Sequence, residues 1–431
     1  MEDPNSNREM PKSPLGKRSS ALANLGVLTP PLGGGGVKFI YSWRWFGPND
    51  RITLNEIRQA GASGIVSALH QIPVGDVWSK EAILERKQLI EAAGLKWAVV
   101  ESLPVSEDIK KKSGHYLQHI ENYKISIRNL AACGIETICY NFMPILDWSR
   151  TKLKLDLPDG TYTSGFKLAI FAAFDLFILQ RDGAKNDYTE KVIQEAQEYL
   201  FDLDAEKVKE LKDTILYGLP GSMQTYTLEE FRNLLATYQG IDRAALKSHL
   251  SYFLNEVVPV AEESGIKMAI HPDDPPWNLL GLPRVVSTKE DLLEVIEMIP
   301  SPSNGVTLCT GSLGVGHFNE LPEIVKAVAP NIHFVHLRNV VRDSGLNFNE
   351  ETFFEGDIDM IAVVKELVKE GKRRKAETGK EWLVPVRPDH GHQMLDDVGK
   401  SNYPGYSLYG RMKNLAEIKG LTLGIINTMS D

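Results

Sequence analysis

Eight short and nearly continuous apolar runs, separated by stretches with helical periodicity, constrain the fold of this chain more than any other feature. Runs that are apolar along their whole length are typical of parallel strands covered by helices on both faces. Eight successive strand–helix units predict a closed (β/α)8 barrel, with a doubly wound open sheet as the alternative. The runs occupy residues 38–43, 64–68, 96–100, 137–140, 267–270, 305–308, 332–335 and 383–386.

The segments between the runs indicate how the chain is organised. The spacing is regular except between the fourth and fifth runs, where helical patterns at 188–204 and 205–216 predict a helical insertion over about residues 150–242. Residues 1–36, rich in Pro, Gly and Ser, are expected to form a disordered tail before a single catalytic barrel domain over residues 37–431. Three helix-opening capping boxes are predicted, at Thr53 with Glu56, Thr227 with Glu230 and Ser287 with Glu290.

Composition excludes several classes of protein. A net charge of −9 with no basic face argues against nucleic acid as a partner. No apolar run approaches the ~18 residues that a membrane span needs, so no membrane partner is expected. The three cysteines, Cys133, Cys139 and Cys309, are too few and too scattered for a disulfide scaffold. The protein is therefore expected to be cytoplasmic.

Polar or ligand-type residues follow every apolar run. In a (β/α)8 barrel the active site lies at the carboxyl ends of the strands, so these side chains are expected to face one site. They are Arg44, His70, Glu101, Asn141, His271, Cys309, His336, and Arg387 with Asp389.

Four of these residues are good metal ligands. His271, Cys309, His336 and Asp389 follow strands five to eight, which are neighbours in a barrel, so they are expected to converge on one ion. This ligand set would close a tetrahedral zinc site, or leave two positions open on an octahedral Mn2+ or Fe2+. The open positions would suit a ligand that chelates through a carboxylate and an adjacent hydroxyl.

The remaining polar groups at these strand ends suit a polyhydroxy acid better than an apolar ligand. Strand alternation places Arg387 on the same face as Asp389, and Arg338 on the same face as His336, so both guanidiniums are expected to reach a substrate carboxylate. Glu101 and Asn141 would bind further substrate oxygens.

Acid and base groups have several candidates. His390 and His392 directly follow the metal ligand Asp389, where a proton-transferring group is needed. The turn after residue 403 brings Tyr406 and Tyr409 near the end of the last strand, where either hydroxyl could donate a proton.

At these residues the chain closely resembles the mannonate dehydratase family, from about Trp43 to the C-terminus. The motifs are long and unusual, and they include the strand ends discussed above. One departure is Ile361 after Met360, where an aromatic residue is expected. The motifs are RWFG at 44–47, CYNFMPILDW at 139–148, IHPDDPP at 270–276, CTGS at 309–312, HLRN at 336–339, GDIDM at 356–360 and RPDHGHQMLD at 387–396.

The resemblance implies a barrel of the xylose-isomerase-like type that uses Mn2+ or Fe2+ to dehydrate D-mannonate to 2-keto-3-deoxy-D-gluconate in hexuronate (glucuronate) catabolism. It also implies a homodimer. The family's metal ligands correspond to His271, Cys309, His336 and Asp389, and its acid/base residues to His390 and Tyr406. As an expected mechanism, the base removes the C2 proton and the acid protonates the departing C3 hydroxyl. Substrate binding is expected of Arg44, His70, Glu101, Asn141, Arg338 and Arg387.

Two other functions compete with this one. A metal-dependent sugar isomerase on the same scaffold would use several carboxylates and a lysine around paired metals, whereas these strand ends offer one cysteine and mostly histidines. A non-catalytic structural protein would hold one zinc ion in a closed site.

Overall fold

A computed structural model describes residues 36–217, 226–343 and 345–429. The predicted N-terminal tail therefore lies outside the described residues, except for Gly36. That glycine directly precedes the first strand, and its carbonyl accepts a hydrogen bond from the backbone N–H of Trp382 at 2.9 Å. In the part of the chain that the structure describes, no helix combines the length and apolarity of a membrane span.

Eight of the strands close into a parallel barrel in the order β1-β2-β3-β4-β7-β8-β9-β12. The barrel closes between its first and last strands, where Val37 lies opposite Trp382. The predicted barrel is thus confirmed, and the open-sheet alternative is wrong. The strands are β1 Val37–Arg44, β2 Gly64–Ser67, β3 Lys96–Glu101, β4 Thr137–Tyr140, β5 Lys152–Asp156, β6 Tyr162–Phe166, β7 Lys267–Ile270, β8 Asn304–Cys309, β9 Ile332–Leu337, β10 Asn339–Arg342, β11 Phe348–Glu351 and β12 Trp382–Pro388.

Helices connect the strands, and hydrogen-bonding side chains fix where several of them begin. The capping boxes at Thr53 and Thr227 are present as predicted. The third prediction was wrong by one residue, because the Ser287 hydroxyl donates to Asp273 at 2.8 Å and the box forms from Thr288 with Asp291. The helices are α1 Leu54–Gln59, α2 Lys80–Ala92, α3 Glu107–Lys111, α4 Tyr116–Ala132, α5 Leu168–Ala173, α6 Glu190–Phe201, α7 Ala205–Ile215, α8 Leu228–Ala236, α9 Arg243–Glu263, α10 Lys289–Met298, α11 Thr310–Gly314, α12 Leu321–Val328, α13 Met360–Thr378 and α14 Leu408–Thr428.

The segment from about residue 150 to 242 contains helices α5 to α8, and also a hairpin that the sequence did not predict. Its strands β5 and β6 join β10 and β11 in a four-stranded antiparallel sheet of order β10-β11-β6-β5. The hairpin was missed because β5 reads Lys-Leu-Lys-Leu-Asp and none of its residues is buried. Tyr162 of β6 pairs with Gln393, just after β12, so this sheet lies beside the carboxyl end of the barrel.

A small apolar cluster, separate from the main core, lies beneath the carboxyl ends of the strands. It contains Cys139, Ala269 and Phe334 from β4, β7 and β9. The Phe334 ring packs edge-on against the His336 ring, with centroids 4.4 Å apart. The cluster therefore supports the polar groups at the strand ends on an apolar layer.

Candidate active site

Strand register brings the candidate metal ligands together. Cys309 is the register partner of His336, and His336 is the partner of Arg387. His271 and Asp389 are the first residues after β7 and β12. Because parallel neighbours in register end at the same height, these side chains meet at one edge of the barrel.

His271, Cys309 and His336 form a compact cluster of donor atoms, each within 4.8 Å of the others. The His271 Nδ1 atom lies 2.7 Å from the carbonyl oxygen of Pro272, to which a protonated Nδ1 donates, leaving Nε2 as an acceptor. That Nε2 lies 3.2 Å from His336 Nδ1. Two nitrogens that bind one ion at about 2.1 Å are separated by roughly this distance. The donor set and its spacing therefore fit a metal ion.

Asp389 borders this cluster without belonging to the mutually close set. Its carboxylate lies 3.6 Å from Cys309 Sγ and 3.7 Å from His336 Nδ1. Burial alone would raise the pKa of Asp389, but the Arg387 guanidinium at 2.7 Å and Arg338 at 3.3 Å hold it well below its ordinary value. Asp389 is therefore a carboxylate ready to accept a cation.

Eight alternating charges surround the cluster in a buried network that joins the barrel to the four-stranded sheet. Burial alone would raise the pKa of Glu350, but His390 and the neighbouring arginines hold it at about 2. Arg150, Asp274 and Glu350 were not predicted as site residues. Asp274 lies within the IHPDDPP motif, whereas Arg150 and Glu350 gave no signal because their sheet was not predicted. The network consists of Arg44, Arg150, Arg338, Arg387, Glu101, Asp274, Glu350 and Asp389.

His390 and Tyr406 lie side by side at the cavity wall, with ring centroids 4.8 Å apart. The His390 Nδ1 atom is 2.7 Å from Glu350 Oε2, so the carboxylate favours the tautomer with the proton on Nδ1 and a free lone pair on Nε2. Burial raises the pKa of Tyr406 to about 12, which keeps its hydroxyl protonated. The pair thus combines a proton acceptor with a proton donor.

The cavity beside these groups contains about 470 Å³ of space, part of it open to solvent. Of the residues that the sequence predicted to bind substrate, Arg44, Glu101, Asn141, Arg338 and Arg387 line it. Lysine is absent from the described residues that line this cavity. Its wall is therefore suited to a small, polar and anionic molecule.

Among the residues predicted from the sequence, Cys309 and His336 belong to the donor cluster without lining this cavity, and His70, His392 and Tyr409 also lie outside its wall. His70 stacks on Phe46 at 6.0 Å, and burial lowers its pKa to about 3, so it stays neutral. His392 lies 3.3 Å from both Thr161 Oγ1 and the Glu350 carbonyl oxygen, and so connects the end of β12 to the small sheet. Tyr409 lies in the first turn of α14, where its backbone N–H donates to Asp397.

Comparisons with known proteins agree on one family. The model of the D-mannonate dehydratase (UxuA) family matches residues 40–430. A mannonate dehydratase of Marinomonas sp. is 52% identical over 390 residues, covering 90% of this chain and all of the relative. One of Chromohalobacter salexigens is 51% identical over 386 residues, covering 89% of this chain and 98% of the relative.

A solved structure agrees with the sequence comparisons. The crystal structure of mannonate dehydratase from Streptococcus suis serotype 2 is 34% identical, with a TM-score of 0.70 over 91% of this chain and 94% of that chain. The residues matched by the family model, 40–430, include every residue of the site described above. The chain therefore belongs to the D-mannonate dehydratase family of hydro-lyases.

Proposed function

We propose that the protein removes water from D-mannonate to give 2-keto-3-deoxy-D-gluconate, with Mn2+ or Fe2+ held by His271, Cys309, His336 and Asp389. The observation that carries this proposal is the three-residue donor cluster, whose His271 lines the same cavity as Asp389 and the His390–Tyr406 pair. Hydro-lyase chemistry needs charge stabilisation and proton transfer at adjacent positions, and these two groups supply them.

The charges of the site favour a divalent ion. The network of eight charged residues contains four guanidiniums and four carboxylates, so it is neutral by itself. A Cys309 thiolate and the substrate carboxylate would add two negative charges, which one divalent ion balances. When bound, the ion supplies Lewis acidity toward the substrate carboxylate and C2 oxygen, and so stabilises the charge that develops as the C2 proton leaves.

Arginine side chains orient the substrate in this proposal. Arg387 and Arg338 flank Asp389 at the cavity wall, where a substrate carboxylate would be paired by guanidinium N–H donors. Arg44 and Asn141 also line the wall and would bind hydroxyl groups. His70 lies outside the cavity wall and stacks on Phe46, so it would contribute to substrate binding only indirectly.

His390 and Tyr406 perform the proton transfers. His390 Nε2 takes the C2 proton as the C2–H electron pair forms a C2–C3 double bond. The C3–O bond breaks at the same time, and Tyr406 protonates the departing hydroxyl, which leaves as water. The enol that remains gains a proton at C3 and loses the proton of its C2 hydroxyl, which gives the 2-keto product. The proton on His390 returns to the tyrosinate through solvent.

Neither competing function has a specific observation in its favour. An isomerase of the type considered above requires a lysine, which the described cavity wall lacks. A closed structural zinc site needs no acid/base pair beside it, whereas His390 and Tyr406 lie side by side here, with His390 Nε2 4.0 Å from Asp389. We further propose a cytoplasmic homodimer acting in hexuronate catabolism, on the basis of the family resemblance and the three unpaired cysteines.

Incubation of metal-reconstituted protein with D-mannonate, its C2 epimer and related hexonates tests the proposal. We expect 2-keto-3-deoxy product from D-mannonate, dependent on added Mn2+ or Fe2+. Absence of product from D-mannonate with either metal would overturn the proposed substrate. Undiminished turnover after complete removal of metal would overturn the proposed chemistry.

A further inference from the structure

Two buried polar atoms without hydrogen-bond partners face each other at the edge of the metal cluster. They are His336 Nε2 and Glu101 Oε2, which lie 3.6 Å apart. We propose that Glu101 is a positioning residue that acts on the metal through His336, in place of the substrate-binding role that the sequence suggested. This inference rests on the metal site of the proposed function.

The His336 ring is oriented so that its Nδ1 faces the donor cluster and its Nε2 faces Glu101. Its Nδ1 faces the donor cluster, 3.2 Å from His271 Nε2 and 3.7 Å from Asp389. If Nδ1 is the ligand, the neutral ring carries its proton on Nε2. Among the described residues, the carboxylate oxygen that approaches this nitrogen is Glu101 Oε2, so Glu101 is the natural acceptor of its proton.

Two arginines hold the Glu101 carboxylate in this orientation. Arg44 and Arg387 both contact Oε1, at 3.1 and 3.0 Å, and their side chains are almost fully buried. Because both cations contact the same oxygen, the other oxygen remains free to face His336. The distance of 3.6 Å is longer than a hydrogen bond, and a movement of about 0.6 Å would bring the two atoms to hydrogen-bonding distance.

Such a carboxylate fixes the tautomer of a metal-binding imidazole and makes it a better ligand. Loss of an outer carboxylate of this kind typically weakens metal affinity 10–100-fold. Glu101→Gln is the most informative variant, because Gln has the same size as Glu but replaces one acceptor oxygen by an NH2 donor. Its amide oxygen would stay with the two arginines, and its NH2 group would then face His336 Nε2. That contact favours the tautomer that cannot bind metal through Nδ1.

The experiment measures Mn2+ affinity in the absence of substrate. Apo-protein is titrated with Mn2+, and free Mn2+ is followed by electron paramagnetic resonance. We expect Glu101→Gln and Glu101→Met each to raise the Mn2+ dissociation constant 10–100-fold. Asn141→Ala is the matched control, since Asn141 lines the same cavity but bonds to Asp147 and Met143, and its Mn2+ affinity is expected to stay within twofold of the wild type.

Mn2+ affinity within twofold of the wild type in a folded Glu101→Gln protein, together with a raised KM for D-mannonate, would overturn the inference and return Glu101 to substrate binding. Glu101→Met serves where Glu101→Gln fails to fold, as judged by circular dichroism. Failure of the wild-type protein to bind Mn2+ or Fe2+ would instead contradict the proposed function, so the two results are distinguishable.

Discussion

His271 and His390 each have Nδ1 within 2.7 Å of a protein oxygen, the Pro272 carbonyl in one case and the Glu350 carboxylate in the other. In both rings this contact leaves Nε2 with a free lone pair. The same arrangement therefore serves two tasks in the proposed function, since one Nε2 faces the metal cluster and the other is free to accept a proton.

Removal of the Cys309 sulfur tests the proposed metal site. Cys309→Ala is expected to abolish bound metal and dehydratase activity, because the soft ligand of the cluster is removed. Metal content after dialysis and product formation from D-mannonate are the measurements. Cys133→Ala is the control, because Cys133 is buried elsewhere and its Sγ is 3.8 Å from the Lys80 carbonyl. Full turnover by metal-free Cys309→Ala protein would exclude the proposed site.

Replacing each candidate tyrosine by phenylalanine distinguishes Tyr406 from Tyr409 as the proton donor. Tyr406→Phe is expected to lower kcat about 10²–10⁴-fold, because the proposed proton donor is lost, while Mn2+ affinity stays unchanged. Tyr409→Phe is expected to retain the wild-type kcat, since Tyr409 lies outside the described cavity wall. Steady-state kinetics at saturating Mn2+ measures both. The reverse order of effects would assign the proton donor to Tyr409.

Site residues that directly follow a barrel strand could be predicted from the sequence, whereas those that depend on contacts between distant segments could not. His271, Cys309, His336 and Asp389 each follow an apolar run, so counting strands was enough to group them. Glu350 could not be found in this way, because its contact with His390 depends on a small sheet whose strands have no apolar pattern. The position of Glu101 at a strand end suggested that it binds substrate, whereas the 3.6 Å between its Oε2 and His336 Nε2 favours His336 as its partner.

At the scale of secondary-structure elements, the turn from β8 into α11 leaves no room for a side chain at Gly311. A Cβ there would lie 1.8 Å from Arg338 Nε. Arg338 is itself held by Asp274 at 2.7 Å and by Asp389 and Glu350 at 3.3 Å, so it is not free to move aside. The close approach of α11 to β9 thus fixes the position of a guanidinium at the cavity wall.

Gly311→Ala is accordingly expected to displace Arg338, to destabilise the protein by about 1–3 kcal/mol and to lower kcat/KM for D-mannonate. Thermal unfolding and steady-state kinetics are the measurements. Gly420→Ala on α14 is the matched control, because nothing lies within 4 Å of its Cβ position. That change is expected to stabilise the helix by roughly 0.5–1 kcal/mol. Unchanged kcat/KM in Gly311→Ala would refute the proposed role of this turn.

Strand β9 also carries a pH-sensitive contribution to stability. Burial lowers the pKa of His333 from 6.5 to about 4, and its Nδ1 lies 2.8 Å from the Met268 carbonyl oxygen. Because the folded pKa is depressed, this stability is complete above about pH 6.5 and is lost as the pH falls toward 4. Between pH 7.5 and 5.0 the loss from His333 alone is about 2 kcal/mol.

His333→Asn is expected to reduce the change in free energy of unfolding between these two pH values by that amount, because the amide can still donate to Met268. Urea unfolding at pH 7.5 and 5.0 of both proteins makes the comparison, in which other titrating groups cancel. An identical pH dependence in both proteins would show that His333 is not the group responsible.

Buried strands were easier to predict from the sequence than partly exposed ones. The eight barrel strands are almost continuously apolar, and each predicted run overlaps an observed strand. Strands β5, β10 and β11 are short and partly exposed, and the sheet is completed by the pairing of β6 with β11, which are distant in sequence. No local pattern therefore predicted these strands. The misplaced capping box at Ser287 has the same origin, since its hydroxyl bonds to Asp273 in another part of the chain.

At the scale of the whole molecule, Arg150 connects the barrel to the four-stranded sheet. It pairs with Asp274 at 2.9 Å and with Glu350 at 2.6 Å, and its guanidinium lies over the rings of Trp148 and Phe348. Arg150→Met is expected to destabilise the protein by about 3–5 kcal/mol, because two buried carboxylates lose a partner. Denaturant unfolding measures this, with the exposed Lys209→Met as a control expected to show no change. Equal stability of Arg150→Met and the wild type would contradict this account.

The closure of the barrel between β1 and β12 has a consequence for how the protein is made. The two strands come from opposite ends of the described chain, and the last of them leads into Asp389, His390 and Tyr406. A growing chain on the ribosome therefore holds the first ligands long before it acquires the last. Long-range pairing of this kind slows folding, and the ion has no complete set of partners until the chain has been made at least as far as Asp389.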